Sequence, residues 1–392
     1  MLAKLRKLGF ASFSFLLALL CKSVYSLDIT QSMNPKFFKF SIKSAWLLSL
    51  ALSAGVGFAR APVHVVATPG HGEVPDAELD GNGTIHVAYV KGENAFYSKS
   101  DDDGKSFSSP LRINADENTV HPPNMFRGPD LALGKNRRVH VILYGNGYQR
   151  KLPQNEWGVF YSHLDPGQSS FTRPINLNHK PSDNFSLAAD TKGHVAVVWM
   201  AGNLNLSASS DNGETFAKSE MIDIADPCEC CASRALFAAS TLFIAYREKA
   251  SNIRDMNLLS RADGASAFTK QKLSASPWPI NACPMTGTFI APSGKDLVSA
   301  WETKGQVFFG RILRGSASQP PKEVLVAKTG KWPIALADAN GTVLISWKNG
   351  STLHWQLFDA SDRPVSEERS QPSPNTSRHA GVVAASGFVL ID

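Results

Sequence analysis

Asp80-Gly-Asn-Gly-Thr-Ile-His-Val-Ala-Tyr89 is a turn followed by an alternating apolar run that ends on an aromatic residue. Gly and Asn tolerate the backbone of a tight turn, and period-2 alternation sends successive side chains to opposite faces of a strand. The pattern returns over 133–144, 190–199, 239–246, 292–301 and 338–347. Its anchors are Tyr89, Tyr144, Trp199, Tyr246, Trp301 and Trp347, spaced 55, 55, 47, 55 and 46 residues apart. A repeat of about 50 residues marks a solenoid or a propeller.

The flanks of each repeat decide between those two. A second element follows each anchor, as in Phe96-Tyr-Ser98 and Phe160-Tyr-Ser162, and then a turn and a further strand such as Pro110-Leu-Arg-Ile113. Another strand precedes each unit, for example Pro129-Asp-Leu-Ala-Leu133. Four short strands per period make a propeller blade. No segment after the first 61 residues carries helical periodicity, so the chain reads as all-β.

Two turns share the pattern S-x-D-x-G-x-[ST]-F: Ser100-Asp-Asp-Asp-Gly-Lys-Ser-Phe107 and Ser209-Ser-Asp-Asn-Gly-Glu-Thr-Phe216. Ser and Asp oxygens accept backbone N–H bonds there, Gly supplies a positive φ, and Phe plugs between strands. Degenerate copies sit at Asp165-Pro-Gly167 and Asp263-Gly264. These turns resemble the Asp boxes (BNR repeats) of sialidase-like β-propellers, and the resemblance covers nearly all of residues 62–392. It implies six four-stranded blades, with the boxes on the face opposite the active site. Counting strands leaves seven open. Gly381–Ile391 reads as the start of another unit, and Val63-His-Val-Val-Ala67 as the last strand of a blade closed by both termini.

The chain has 392 residues and a net charge of +6. Seven basic residues and one acid fall in positions 1–59, which leaves the remainder with 33 of each sign. A charge-balanced domain excludes a general nucleic-acid partner. Lys4-Leu-Arg-Lys7 precedes one apolar run, and Lys36, Lys39 and Lys43 precede another that ends at Ala59. Each run has the length of a signal-peptide core and is short for a membrane span. Residues 1–61 therefore read as an export region, with Met33 as an alternative start and an uncleaved anchor as the other reading. Residues 62–392 read as one propeller domain. The expected location is periplasmic or extracellular, without stable membrane insertion after cleavage.

In a propeller, the connectors between blades and the loops between second and third strands open on one face. Arg127, Arg234, Arg247, Arg254, Asp255, Glu248, Glu302 and Trp278 all fall in such segments. Guanidinium forks match carboxylate oxygens, and glycoside hydrolysis needs paired acids. The resemblance implies a three-arginine grip on a substrate carboxylate. Phe126-Arg127-Gly128-Pro129 is similar to the family's first arginine site, and Arg247 and Arg254 are candidates for the others, with Arg234 in reserve. Asp255, Glu302 and Glu248 are the candidate acids, and Asp76 and Asp130, at the start of channel strands, are alternatives. Trp278, Trp157 and Trp332 are candidate sugar platforms. The competing reading is that these arginines and acids pair with one another across blades. The family's nucleophilic Tyr comes from late blades, whereas this chain has no Tyr after Tyr246, and Tyr148 is the one that no repeat explains.

Cys228, Cys230, Cys231 and Cys283 remain after the leader. Neighbouring cysteines bridge one another poorly, so Cys283 is the geometrically sensible partner for one of the other three. The alternative is a soft zinc or copper ion on the cluster. A C-x-C-C…C set of this kind resembles that of exported bacterial sialidase-like proteins. Three functions follow from these readings. The first is a glycosidase acting on an acidic, sialoside-like sugar without a cofactor. The second is a non-catalytic glycan- or protein-binding propeller. The third is a propeller with a Cys-ligated metal.

Overall fold

The computed structural model describes residues 62–392, apart from 125–126, 223–226 and 315–318. The expected export region lies outside the described residues. Seven sheets are present among them. Six are four-stranded meanders: blade 1 (73–112), blade 2 (130–176), blade 3 (183–221), blade 4 (234–272), blade 5 (288–327) and blade 6 (331–372). The seventh joins the two ends of the described chain. Ala380–Ala384 and Gly387–Ile391 form a hairpin, and Val63–Val66 adds to its outer side.

That outer strand runs parallel to its neighbour, with Val63 opposite Phe388 and Val66 opposite Ile391. Elsewhere each outermost strand is antiparallel to the third. Backbone bonds from Phe388 N–H to the Pro62 carbonyl (2.9 Å) and from Asp392 N–H to the Val66 carbonyl (3.0 Å) secure the ends. The N- and C-terminal strand pairing is thus as read from the sequence, and the blade count is the seven that strand counting leaves open, where the resemblance favours six. The aromatic-anchored repeat counts only the complete blades, because blade 7 is split across the chain and its second strand carries no Tyr or Trp.

The first strand of every blade is innermost and touches the first strands of both neighbours, which closes the ring from blade 7 back to blade 1. All six aromatic anchors are buried. Val195–Met200 is buried at every position, which strict alternation does not predict. The second strand of a blade lies between two stacked sheets, so both of its faces are covered.

The two S-x-D-x-G turns have the bonding their residues suggest. Asp102 accepts from Ser100 Oγ (2.8 Å) and from the Ser106 N–H (2.9 Å), and the Gly104 N–H donates to Ser100 Oγ (2.9 Å). Gly104 and Gly213 have φ of +84° and +82°, the left-handed region that favours glycine. Phe216 reaches the blade 2–blade 3 core and packs edge-on to Tyr161 at 4.7 Å.

Four histidines are buried in the ring, His86, His140, His163 and His379. His86 and His140 each share a 2.7 Å hydrogen bond with a tyrosine, Tyr97 and Tyr161, and His379 shares one of 2.7 Å with Ser346. Burial pulls all four below the ordinary imidazole range: His140 to about 3, helped by Arg138 and His163, and His379 well below 6.5. Such groups stay neutral in the folded protein but take up protons on unfolding. Stability is therefore complete above about pH 6.5 and falls as pH drops below it, by up to about 1.4 kcal/mol per pH unit for each histidine. Thermal midpoints measured from pH 7 to pH 4 should decline steadily, and His140→Gln should make that decline shallower.

Candidate functional site

The first strand of blade 1, Glu73–Leu79, carries Asp76 and Glu78 on the same side, two residues apart. Asp130 starts the first strand of blade 2, Arg234 that of blade 4, and Arg378 precedes that of blade 7. The ring brings them together in its central channel. Arg234 donates to Asp76 Oδ1 at 2.9 Å and lies 3.5 Å from Glu78 Oε1, while its guanidinium covers the Phe289 ring at 4.8 Å. Arg378 donates to Asp130 at 2.9 Å and to the Pro129 carbonyl at 2.7 Å. Asp76 Oδ2 accepts the Leu131 N–H at 2.8 Å.

Arg234 divides two spaces. Below it lies a channel cavity of about 510 Å³, lined by Glu78, Leu133, Phe237, Phe289 and Val383 and reaching the turn at Asp80-Gly81. That turn touches the S-x-D-x-G turn of its blade through Thr84 Oγ1 and Asp101, 2.6 Å apart, so the cavity extends toward that face. On the connector side, Asp76, Arg234, Trp332 and Arg378 border a space of only about 50 Å³. Enclosure in the channel raises the Glu78 carboxyl to about 7, with Arg234 opposing the shift and Asp76 and Asp130 adding to it. Part of the Glu78 side chain, 41 %, still faces the channel space.

Asp76, Asp130 and Arg234 were secondary candidates in the sequence, whereas Glu78 and Arg378 were not candidates at all. The signal for Glu78 was its register with Asp76. Arg378 precedes a channel strand of the blade that the aromatic repeat does not count.

The other arginines do not form an open clamp. Arg127 makes a two-point contact with Asp183 of blade 3, with Nε 3.0 Å from Oδ1. Arg247 is fully buried, and its guanidinium donates to the carbonyls of Arg254 (2.7 Å), Glu302 (2.6 Å) and Thr286 (3.4 Å). It offers a ligand no surface. Arg254 is also buried, with Nε directed to the Ala282 carbonyl at 3.4 Å.

The acids behave alike. Glu248 pairs with Lys270 at 2.5 Å and Asp255 with Lys272 at 2.8 Å. Glu302 is buried 3.9 Å from Arg247 and accepts the Gly305 N–H, and burial raises its carboxyl against the pull of Arg247. Trp278 is buried under Arg247, at 5.1 Å, so it is an interior contact rather than a sugar platform. Arg247 and Arg254 share one physical reason, while Glu248, Asp255 and Arg127 are taken up by ion pairs. Connectors between blades expose backbone carbonyls, and buried carbonyls need donors.

Trp157 and Tyr148 are placed differently. Tyr148 is 75 % exposed and meets Trp157 edge-on, with ring centroids 5.9 Å apart. Trp157 is held by its Nε1 bond to the Leu152 carbonyl (2.9 Å). Beside them a cavity of about 180 Å³ lies between the connector after blade 1 and the 145–157 loop of blade 2, with Arg150, Arg173, Glu156 and Asp116 in its wall. Arg150 is exposed, and Arg173 pairs with Asp116 at 2.6 Å while remaining largely exposed itself.

Cys230 and Cys283 form a disulfide that ties the connector before blade 4 to the connector before blade 5. Cys228 and Cys231 are buried thiols, with sulfurs 3.2 Å apart. The sulfurs of Cys228, Cys230 and Cys231 cluster within 4.8 Å. With Cys230 bridged to Cys283, only two thiol donors remain, which does not suit the four-ligand set of a structural zinc. Among the described residues, no helix is long and apolar enough to cross a membrane.

No family model matches the chain, and no curated protein matches it. Solved structures do. An ulvan lyase, described as a new family of polysaccharide lyase, superposes with a TM-score of 0.52 at 12 % identity, over 82 % of this chain and 86 % of that one. A protein of unknown function from Dyadobacter fermentans gives 0.50 at 14 %, over 78 % and 95 %. A Hadza microbial sialidase gives 0.47 at 14 %, over 71 % and 63 %. What the ulvan lyase and the Dyadobacter protein share with this chain is the β-propeller fold.

The channel charges make a testable point of their own. Arg234→Met removes the counter-charge from Asp76 and Glu78 while keeping an unbranched apolar stem. Breaking such an enclosed pair should cost about 3–5 kcal/mol. Urea unfolding should show that loss, and adding Asp76→Asn should restore part of it.

Proposed function

We propose that the protein is an exported propeller that recognises an acidic glycan on its connector face, in the cavity between the loops of blades 1 and 2. The observation that carries this reading is the 145–157 loop, which presents an exposed, edge-braced Tyr148 and Trp157 and also lines, with Arg150, a cavity whose wall holds Arg173. Aromatic faces bury the apolar side of a pyranose, and guanidinium forks take carboxylate or sulfate oxygens. An ulvan lyase of this fold has been solved bound to -[GlcA(1-4)Rha3S]-, a chain that carries both groups. Likeness of fold supplies no site, so the reading stands on the residues of the 145–157 loop and its neighbours. The Cys230–Cys283 disulfide is in keeping with export to an oxidising compartment.

Titration calorimetry with a glucuronate-containing oligosaccharide and a neutral counterpart of equal length should show preference for the acidic one. Tyr148→Ala should weaken binding by about threefold to tenfold, as expected for loss of one stacking contact. Arg150→Ala should erase the preference for acid. Equal affinity for the two sugars, or a Tyr148→Ala variant that binds as well as wild type, ends this reading.

A hydrolytic reading rests on a different observation. Glu78, raised to about 7, holds its proton more readily than an ordinary carboxyl and borders the channel cavity of about 510 Å³ beside Arg234. That is the condition of a general acid for a glycosidic leaving oxygen. The acids first indicated by sequence, Asp255, Glu248 and Glu302, are already engaged by Lys272, Lys270 and Arg247. The absence of a late Tyr also argues for recognition over hydrolysis. Release of the reporter from a fluorogenic sialoside or glucuronide decides the matter. Turnover that falls about a hundredfold in Glu78→Gln supports hydrolysis in the channel, and no turnover by the wild type removes it.

A further inference from the structure

The cysteine cluster holds a dithiol and a disulfide in contact. Cys228 Sγ lies 3.2 Å from Cys231 Sγ and 3.4 Å from Cys230 Sγ, the less exposed half of the bridge to Cys283. Two backbone bonds fix this turn: the Cys228 N–H donates to the Arg247 carbonyl (2.9 Å) and the Cys231 N–H to the Cys228 carbonyl (3.0 Å). We propose that the buried dithiol Cys228/Cys231 exchanges with the Cys230–Cys283 disulfide, a built-in relay that delivers a free thiol to the surface at Cys283.

The surroundings favour the chemistry. Thiolate is the attacking species in exchange, and nearby cations and N–H donors stabilise it. The Cys231 sulfur accepts from Cys228 and from the Thr286 and Met285 N–H groups, with the Arg247 guanidinium nearby, and is drawn down to about 6 despite its burial. Cys228 is driven the other way, up, chiefly by its bond to Cys231 and by burial. The pair thus shares one proton, held by Cys228, and moving it 3.2 Å onto Cys231 is an uphill step that limits how fast Cys228, the sulfur 3.4 Å from the disulfide, can attack.

In the first step the proton of Cys228 passes to Cys231, and Cys228 attacks Cys230. A Cys228–Cys230 bond forms, the Cys230–Cys283 bond breaks, and Cys283 leaves as a thiolate that water can protonate. The new bridge spans a single residue and is strained. In the second step Cys231 attacks Cys228 and gives its proton to the departing Cys230. The products are a Cys228–Cys231 disulfide and thiols at Cys230 and Cys283. One disulfide and two unbridged sulfurs exist before and after, so no oxidant or reductant is consumed. Accessibility changes in the process. Cys228 and Cys231 are buried, whereas Cys230 is half-buried and Cys283 exposed, so exchange turns a hidden dithiol into one that an external protein or small-molecule disulfide can reach.

The test uses the full, folded protein. Native protein is treated with iodoacetamide at pH 8, quenched in acid, and digested without reduction for mass mapping. The expected result is label at Cys283 and Cys230 together with a Cys228–Cys231 disulfide peptide. Cys228→Ser should abolish labelling of Cys283, and Cys231→Ser should slow it by about tenfold through loss of the base. An intact Cys230–Cys283 peptide with label absent or confined to Cys228 and Cys231 overturns the proposal. So does Cys283 labelling that is undiminished in Cys228→Ser, or four thiols found with a stoichiometric bound metal. The wild-type map decides by itself if either variant fails to fold.

Discussion

Closure of the ring is the constraint on which the remaining structure depends. Each blade is a small twisted sheet whose two faces are both apolar, and a single blade cannot cover either of them. Seven buried clusters fall one at each of the seven junctions between neighbouring blades. The junction of blades 7 and 1, where Ala380, Val382 and Val389 meet Ala77, Val87 and Tyr89, is completed by Val66 of the outer strand that pairs with Gly387–Ile391. The buried Lys348–Asp392 ion pair fixes the same closure from blade 6.

A closed ring of twisted blades leaves a channel on its axis, and the channel explains where the charged residues went. First strands crowd at the connector end, where backbone groups lie close to one another in poorly solvated space. Asp76 and Arg234 join blades 1 and 4 across the axis, and Asp130 and Arg378 join blades 2 and 7. Three carboxylates face two guanidiniums there, so the electrostatics favour one carboxyl keeping its proton. Burial pushes both Glu78 and Asp130 up, and Glu78 has the longer arginine contact, 3.5 Å against 2.9 Å for Asp76 and for Asp130. The same demand for partners holds Arg247 among three carbonyls.

The architecture was legible in the sequence because it repeats. Tyr89, Tyr144, Trp199, Tyr246, Trp301 and Trp347 all fall on second strands, and the two S-x-D-x-G turns form the hydrogen bonds their side chains permit. Blade 7 was only half legible, since its strands lie at opposite ends of the described chain and repeat detection compares continuous segments. The candidate site was legible as a set of residues on one face but not as a constellation. Arg247 and Arg127 carry the same local sequence signals whether they grip a ligand or a neighbouring blade. Only packing across junctions, between residues such as Arg247 and Glu302 that lie far apart in the chain, separates the two roles.

Charge then bears on where an acidic ligand could bind. With 33 basic and 33 acidic residues after position 59, the domain has no net field to draw an anion from a distance, and salt screens exposed charges beyond about 8–10 Å. Recognition must come from groups that touch the ligand. Arg234 and Arg247 are poor candidates, because each would have to abandon internal partners that its burial makes necessary. Arg150 and Arg173 stand in water, so turning toward a carboxylate costs them little. Arg150 is two residues from the exposed Tyr148 in the same loop, and an exposed ring gains by covering a sugar face. At the rim of blades 1 and 2 the proposed glycan site would therefore meet solvent-exposed cations and an uncovered aromatic ring, which the channel beside Arg234 does not offer.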